Sequence, residues 1–158
     1  MVFHDQIAGF RQKYNDIFYT IFRVLIGLLF AVHGAQKIFG LFGNGEPQAM
    51  FGSGMAISWL GGLNMLWIAG IIELLGGLLI ALGLLTGIST VISSLNMLAA
   101  YFVGHFTLAM PLPYQNRGEL TLVYLAAFIF ILLAGGGKYS LDRKFWGKSA
   151  APEQVMKH

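Results

Sequence analysis

The longest run without a charged side chain constrains this sequence more than any other feature. From Leu74 to Asn116 there are 43 residues with no Asp, Glu, Lys or Arg. A bilayer core about 30 Å thick takes roughly 20 residues of helix per crossing, so this run is too long for one span. It must cross the membrane, turn and cross back. The sequence GLLTGIST, residues 83–90, interrupts the apolar pattern with two glycines and is the predicted turn.

Composition agrees with a membrane protein and excludes several kinds of chemistry. The 158 residues are 56% hydrophobic and 11% charged, where soluble proteins have about 25% charged residues. There is no cysteine, which excludes disulfides, thiol nucleophiles and iron–sulfur clusters carried by this chain. Any redox chemistry therefore needs a borrowed cofactor. The net charge of +3 is explained by basic flanks of membrane spans, so we predict the lipid bilayer, and no nucleic acid, as a partner.

The apolar stretches and the breakers between them predict an all-α membrane protein, a four-transmembrane-helix bundle that forms one domain over residues 1–158. Glycines and prolines set the ends of the stretches, notably in MPLP (110–113) and GGG (135–137). The predicted spans are residues 17–39, 59–85, 87–109 and 118–134. They leave outer loops at 40–58 and 110–117 and a basic tail at 138–158.

Basic residues predict which side of the membrane holds the termini. Arg11 and Lys13 precede the first span, and five further basic residues follow the last one, whereas the opposite loops offer only Lys37 and Arg117. Cytoplasmic segments carry the excess of Lys and Arg. Both termini are therefore predicted to be cytoplasmic.

Glu73 is a carboxylate near the middle of the second predicted span. Its neighbours on the same helix face are small residues, which predicts close packing against another helix with Glu73 pointing inward; they are Ala69, Gly70, Gly76 and Gly77. A buried carboxylate must be protonated or paired. We expect Arg23 to be its partner, either in a structural ion pair or beside a carboxylate that relays protons or binds a head group.

A second set of polar residues should converge near the outer surface. His33 and Lys37 are one helical turn apart, and His105, Arg117 and Glu119 reach nearly the same depth on two other spans, with Asn116 beside them. They predict the mouth of a polar pocket, although a solvated rim of charges would give the same pattern. Haem or metal ligation by His33 and His105 is the less favoured alternative, and no metal site is predicted. Ser89, Ser93 and Asn96 form a polar stripe that predicts interhelical hydrogen bonds.

Four segments together are similar to the DoxX family of small bacterial membrane proteins: FRVLIGLLFAVHGAQKIFG (22–40), ELLGGLLIALGLLTGIST (73–90), NMLAAYFVGHF (96–106) and NRGELTLVYLAAFIFILLAGGGKYSLD (116–142). The resemblance implies four spans in the bacterial inner membrane. It also implies a relation to thiosulfate:quinone oxidoreductases, or to membrane oxidoreductase complexes that answer thiol and oxidative stress. The family's motif residues fall on Arg23, His33, Gly34, Lys37, Glu73, Gly76, Gly77, His105, Asn116 and Glu119. Where the family often has Gly-Pro-Gly, this chain has Gly135, Gly136 and Gly137.

These observations lead to a functional hypothesis with one alternative. The chain is expected to be a quinone-associated subunit, or a partner, of a membrane oxidoreductase. Glu73, His105 and Glu119 are the candidate catalytic residues, and the candidate ligand-binding residues are Arg23, His33, Lys37, Asn116 and Arg117. The alternative is a non-catalytic scaffold or a binder of a small molecule or lipid. Redox-enzyme partner subunits and a homo-oligomer are further expectations.

Overall fold

The described part of the chain is helical, with one pair of two-residue antiparallel strands. The computed structural model describes residues 2–41, 56–57 and 63–147. The strands pair antiparallel, with Ala56 opposite Asn64. The third long helix continues into a π-helical turn at Tyr101–His105. In chain order the elements are α1 (Val2–Phe39), β1 (Ala56–Ile57), β2 (Leu63–Asn64), α2 (Met65–Leu82), α3 (Thr86–Ala100), α4 (Pro113–Asn116), α5 (Glu119–Ala134) and α6 (Leu141–Trp146).

Within the described residues, three helical segments are long and apolar enough to cross a membrane. They are Gly9–Phe39, Met65–Leu82 and Thr86–His105, and α5 is a shorter apolar helix of 16 residues. Large apolar side chains such as Leu25, Leu95 and Leu133 are exposed on their outer faces. Exposed apolar surface of this extent is normal where lipid is the solvent. The chain is a multi-pass membrane protein that contacts the bilayer.

The contact between α1 and α2 is the most extensive in the bundle, and glycines bring the two backbones together. A Cβ atom built on Gly27 would lie 2.6 Å from the carbonyl oxygen of Gly77. A Cβ on Gly34 would lie 2.5 Å from the carbonyl oxygen of Gly70. Because the earlier glycine of α1 meets the later glycine of α2, the helices run antiparallel. The small face predicted around Glu73 is therefore confirmed as a close packing surface.

The helices α3 and α5 complete the bundle. α3 packs against both α2 and α5, whereas α1 and α5 meet less extensively. Aromatic and aliphatic side chains fill the centre, with Phe30 and Phe128 ring centroids 4.7 Å apart and both rings almost fully buried. Ile80, Met97, Tyr124 and Ile131 belong to the same core cluster.

A clamp of polar contacts, which we call the Arg23–Asp142 clamp, closes one end of the bundle. The carboxylate of Asp142 accepts hydrogen bonds from the backbone N–H groups of Leu85 (2.6 Å) and Thr86 (2.8 Å). These are N–H groups at the start of α3, which have no partner inside the helix. Arg23 donates to backbone carbonyls at the end of α2, including that of Ala81 at 2.7 Å. The clamp thus gives hydrogen-bond partners to the carbonyls before the α2–α3 turn and to the N–H groups after it.

The expected pairing of Arg23 with Glu73 is wrong. The guanidinium of Arg23 lies at the C-terminal end of α2, where the last carbonyls of a helix lack intrahelical partners and attract a cation. Gly83 makes this approach possible, because a Cβ at this position would lie 2.7 Å from Nη1 of Arg23. Arg23 also donates to the carbonyl of Tyr139 at 3.0 Å. Arg23 therefore donates hydrogen bonds to three backbone carbonyls and not to the carboxylate of Glu73.

Helix ends differ from the predicted span ends. α1 begins at Val2 instead of residue 17, because hydropathy marks the part in lipid while Gln, Arg and Lys sustain a helix beyond it. α2 begins at Met65, directly after β2 (Leu63–Asn64), and the predicted start at residue 59 lies outside the described residues. The third span ends at His105 instead of 109. Most of the predicted loop 40–58, and the tail beyond residue 147, lie outside the described residues.

Candidate functional site

A cavity of about 470 Å³ lies between α1, α2, α3 and α5, at the end of the bundle opposite the clamp. We call it the polar cavity, because titratable side chains from four helical segments or their flanking loops line it. Its walls also include apolar groups such as Phe30, Met97 and Leu120. Its titratable lining residues are His33, Lys37, Glu73, His105, Arg117 and Tyr124.

Glu73 is the carboxylate of the polar cavity, and its two oxygens have different surroundings. Oε1 accepts from Nζ of Lys37 in a salt bridge between α2 and α1. Oε2 is buried and has no hydrogen-bond partner among the residues that the structure describes. The residue as a whole is 1% exposed. A buried acceptor of this kind is costly unless something binds it, so Oε2 is a candidate ligand contact.

His105 enters the cavity from the π-helical turn that ends α3. The N–H of Phe106 bonds back to the carbonyl of Tyr101 at 2.8 Å, five residues earlier, which widens the last turn. Single π turns often occur at functional sites. Nδ1 of His105 lies 3.1 Å from the carbonyl oxygen of Asn116. Because a carbonyl can only accept, Nδ1 carries the proton, and Nε2 of the neutral ring is an acceptor.

His33 and Tyr124 form the inner wall next to Glu73. The two rings are 5.9 Å apart in an edge-to-face arrangement, and Tyr124 packs on Phe30 at 5.3 Å. His33 is half-buried and lines the cavity one turn before Lys37 on α1. The two imidazoles, from His33 and His105, therefore reach one cavity from different helices.

Arg117 adds a second permanent cation at the mouth of the cavity. It caps α4 with φ of 60°, a left-handed conformation that non-glycine residues rarely adopt. Such strain persists only where the surroundings hold it. With Lys37 and Arg117 against Glu73 alone, the lining carries one more formal positive charge than negative. This balance favours a ligand that is anionic or gains electron density.

A protein-family comparison identifies the family of this chain. The model of the DoxX family matches residues 18–106, which include His33, Lys37, Glu73 and His105. The chain belongs to the DoxX family. A Haemophilus influenzae relative named "Uncharacterized protein" is 34% identical over 139 residues, which is 87% of this chain and 97% of the relative. No solved structure matches this DoxX chain.

A second curated relative has a functional name. The Bacillus subtilis protein "Putative oxidoreductase CatD" is 30% identical to this DoxX chain over 131 residues, which cover 83% of the chain and 89% of the relative. Both relatives are covered over most of their length, so the likeness extends well beyond the segment that the family model matches.

The structure brings together five of the eight residues predicted for the site of this DoxX protein, and separates three. The five that line the cavity are His33, Lys37, Glu73, His105 and Arg117. Arg23 belongs to the clamp at the other end. Glu119 is exposed in the first turn of α5 and is not among the lining residues.

Asn116 has a structural task beside the cavity instead of lining it. Its side-chain oxygen accepts from the N–H of Gly118 at 2.8 Å, and its amide donates to the carbonyl of Met110 at 3.1 Å. Side-chain bonds of this kind stabilise turns. Asn116 therefore stabilises this loop with its side chain, and its backbone carbonyl orients His105.

Sequence reasoning missed Tyr124 and Thr121 as cavity residues. Thr121 and Tyr124 follow Arg117 in the sequence by four and seven residues, which is the spacing of one helix face. This spacing was the available signal. In the described ranges 2–41, 56–57 and 63–147, no group of three His, Cys, Asp or Glu side chains has a geometry that holds a metal.

Proposed function

We propose that this protein is a quinone-associated subunit, or a partner, of a membrane oxidoreductase, and that the ring of the quinone binds in the polar cavity. The observation that carries the proposal is the meeting of two imidazoles and two cations around a buried carboxylate whose Oε2 is unpartnered among the described residues. The oxidoreductase name of the Bacillus subtilis relative supports it.

The chemistry of the lining suits a quinone. A quinone ring needs apolar walls, hydrogen-bonding groups at its two carbonyl oxygens, and proton donors when it is reduced. Phe30 and Met97 are apolar wall residues. Nε2 of neutral His105 accepts a hydrogen bond from a quinol hydroxyl, and the protonated ring donates one to a quinone carbonyl. Glu73, once protonated at Oε2, is then the second proton donor.

The quinone supplies the electron chemistry, and the chain supplies binding and proton positions. The sequence has no cysteine for an iron–sulfur cluster or a thiol redox centre of its own. Electrons therefore come from a substrate or from a redox-enzyme partner subunit. Lys37 forms a salt bridge with Oε1 of Glu73 that holds this carboxylate in place, and Arg117 is positioned at the mouth where a polar substrate enters.

The placement that goes with this function is the bacterial inner membrane, with α5 as a fourth span and both termini in the cytoplasm. The 16 residues of α5 span about 24 Å, which a slightly thinned bilayer accommodates. Basic residues at the clamp end, including Lys138, Arg143 and Lys144, support the orientation. The polar cavity then faces the periplasmic half of the membrane.

The first test is whether a quinone binds. Native mass spectrometry of the detergent-purified protein should show a quinone of the host membrane, and added short-chain quinone should bind the wild-type chain. H105A should lose most of this binding, while L95C, a change at an exposed lipid-facing position, should keep it. A wild-type chain that neither carries nor binds any quinone contradicts the proposal.

The second test separates catalysis from binding. E73Q keeps the shape of the side chain but removes the charge, so quinone should still bind while quinone-linked turnover falls by roughly 100-fold. E119Q lies outside the cavity and is the control for a lost carboxylate. If E73Q and E119Q retain equal turnover, Glu73 has no role in proton transfer. Binding with no turnover in the wild type favours the non-catalytic alternative, a scaffold or small-molecule binder.

A further inference from the structure

A line of buried hydroxyl groups runs along α3 from the clamp to the polar cavity. Thr86, Ser89, Ser93 and Asn96 recur at spacings of three or four residues, so they share one face of the helix. They form the polar stripe. Thr86, Ser89 and Ser93 are each at most 4% exposed. The stripe extends over about 15 Å of helix, half of a bilayer core.

The sequence predicted interhelical hydrogen bonds for Ser89, Ser93 and Asn96, but the two hydroxyls and the amide nitrogen make none with the described residues. The hydroxyls of Thr86, Ser89 and Ser93 and the amide nitrogen of Asn96 have no hydrogen-bond partner among the described residues. Thr90 shows the contrast, because its hydroxyl donates to the carbonyl of Thr86 at 2.7 Å. Four unpartnered polar groups in one row need a common partner, and water is the usual one for buried polar groups.

A carboxylate lies near each end of the polar stripe. At the clamp end, the backbone N–H of Thr86 bonds to Asp142, a half-buried residue near the surface of the bundle. At the other end, Asn96 lines the cavity that also contains Glu73, whose Oε2 is itself unpartnered within the described part of the chain. A proton that enters at Asp142 would therefore find polar atoms as far as Glu73.

Gly76 brings the backbone of α2 against the middle of the polar stripe. It follows Glu73 by one turn of α2, and a Cβ built on it would lie 2.7 Å from the hydroxyl oxygen of Ser93. The opposite wall at Ser93 is therefore backbone instead of a side chain. At the clamp end Gly136 does the same, because a Cβ there would lie 3.2 Å from the hydroxyl of Thr86.

We propose that the polar stripe is a water-lined proton path that connects the clamp side of the membrane, at Asp142, with Glu73 in the polar cavity. Water molecules bridge successive hydroxyls, and protons move along them to replace or remove the proton at Glu73 Oε2. No electron transfer is part of this step. The role of the path in quinone chemistry rests on the proposed function. The presence of water along the stripe does not, since the water-binding groups are there whatever ligand the cavity takes.

The water itself is tested without any redox assay. The chain has no cysteine, so S93C and A127C each carry a single thiol, both buried, one in the stripe and one at an apolar position of α5. The full-length variants in nanodiscs are exposed to X-ray radiolysis in water enriched in ¹⁸O. S93C should take up ¹⁸O at least about fivefold faster than A127C, because thiol oxidation follows access to water. Equal rates overturn the proposal, and S89C replaces S93C should that variant not fold.

Proton transfer is tested with a pair of variants of equal shape. S93V and S93T have nearly the same volume, but only threonine keeps the hydroxyl. Quinone-linked turnover should fall at least about tenfold in S93V relative to S93T, with equal quinone binding in both. Equal turnover overturns the proton path. A wild-type chain without quinone-linked turnover contradicts the proposed function instead, and the ¹⁸O labelling alone then decides whether the stripe holds water.

Discussion

Replacing Gly34 by alanine should separate α1 from α2 and destabilise the protein. The new Cβ would lie 2.3 Å from the backbone nitrogen of Leu74 and 2.5 Å from the carbonyl oxygen of Gly70. Relaxed carbon contacts are about 3.5 Å or longer, so the backbones must move apart by roughly 1 Å. Neither neighbour is the end of a flexible side chain. Overpacking typically costs 1–3 kcal/mol, and we expect about 3 kcal/mol here because backbone meets backbone.

A matched control lies on the same helix. A Cβ on Gly9 would meet nothing within 4 Å, so G9A should be stabilised by about 0.5–1 kcal/mol through the better helix propensity of alanine. Unfolding of both variants in mixed detergent micelles, followed by circular dichroism, gives the two free energies of unfolding. If G34A is as stable as G9A, the close backbone contact derived from the glycines is wrong.

Other substitutions test the salt bridge, the clamp and a tie between α1 and α5. K37M leaves Glu73 buried without its cation and should cost about 3 kcal/mol, and K37M/E73Q should recover part of this loss in a double-mutant cycle; purely additive effects would contradict the pair. D142A removes the acceptor of two N–H groups at the start of α3 and should lower the free energy of unfolding by about 2 kcal/mol; an unchanged Tm would contradict it. Y19F loses the bond to the carbonyl of Gly135 and should cost about 1 kcal/mol, measured by the same unfolding assay.

The helical membrane fold was predictable because hydropathy and glycine patterns carry it directly. The turn at residues 83–85 and the small-residue face around Glu73 follow from spacing alone. The partners of Arg23 could not be predicted from spacing, because a sequence shows which side chain carries charge but not which backbone carbonyls are free to accept a hydrogen bond from it. The carbonyls of Ile80 and Ala81 become available only once α2 has ended, and Gly83 then opens the space for the guanidinium.

The candidate site was predictable as a layer of polar residues but not as an arrangement of contacts. Depth along each helix placed His33, Lys37 and His105 in one layer, and all three line the same cavity. Rotation about the helix axis near a helix end was harder to infer. Glu119 shares the depth of the layer yet lies outside the lining, and the π turn that carries His105 adds a residue to one turn, which no periodicity of 3.6 anticipates.

The two ends of the bundle differ in how regular their backbone is. The clamp end satisfies the free backbone groups of the α2–α3 turn with Arg23 and Asp142, and the glycine contacts hold α1 against α2. The cavity end contains the π turn and the left-handed Arg117, irregular backbone that persists only when the rest of the structure fixes it. Loss of a clamp contact should therefore lower the free energy of unfolding but leave ligand affinity of the folded fraction unchanged. Changes at His105 should lower ligand affinity and leave the free energy of unfolding nearly unchanged, because within the described part of the chain its imidazole bonds to the carbonyl of Asn116 and lines the cavity.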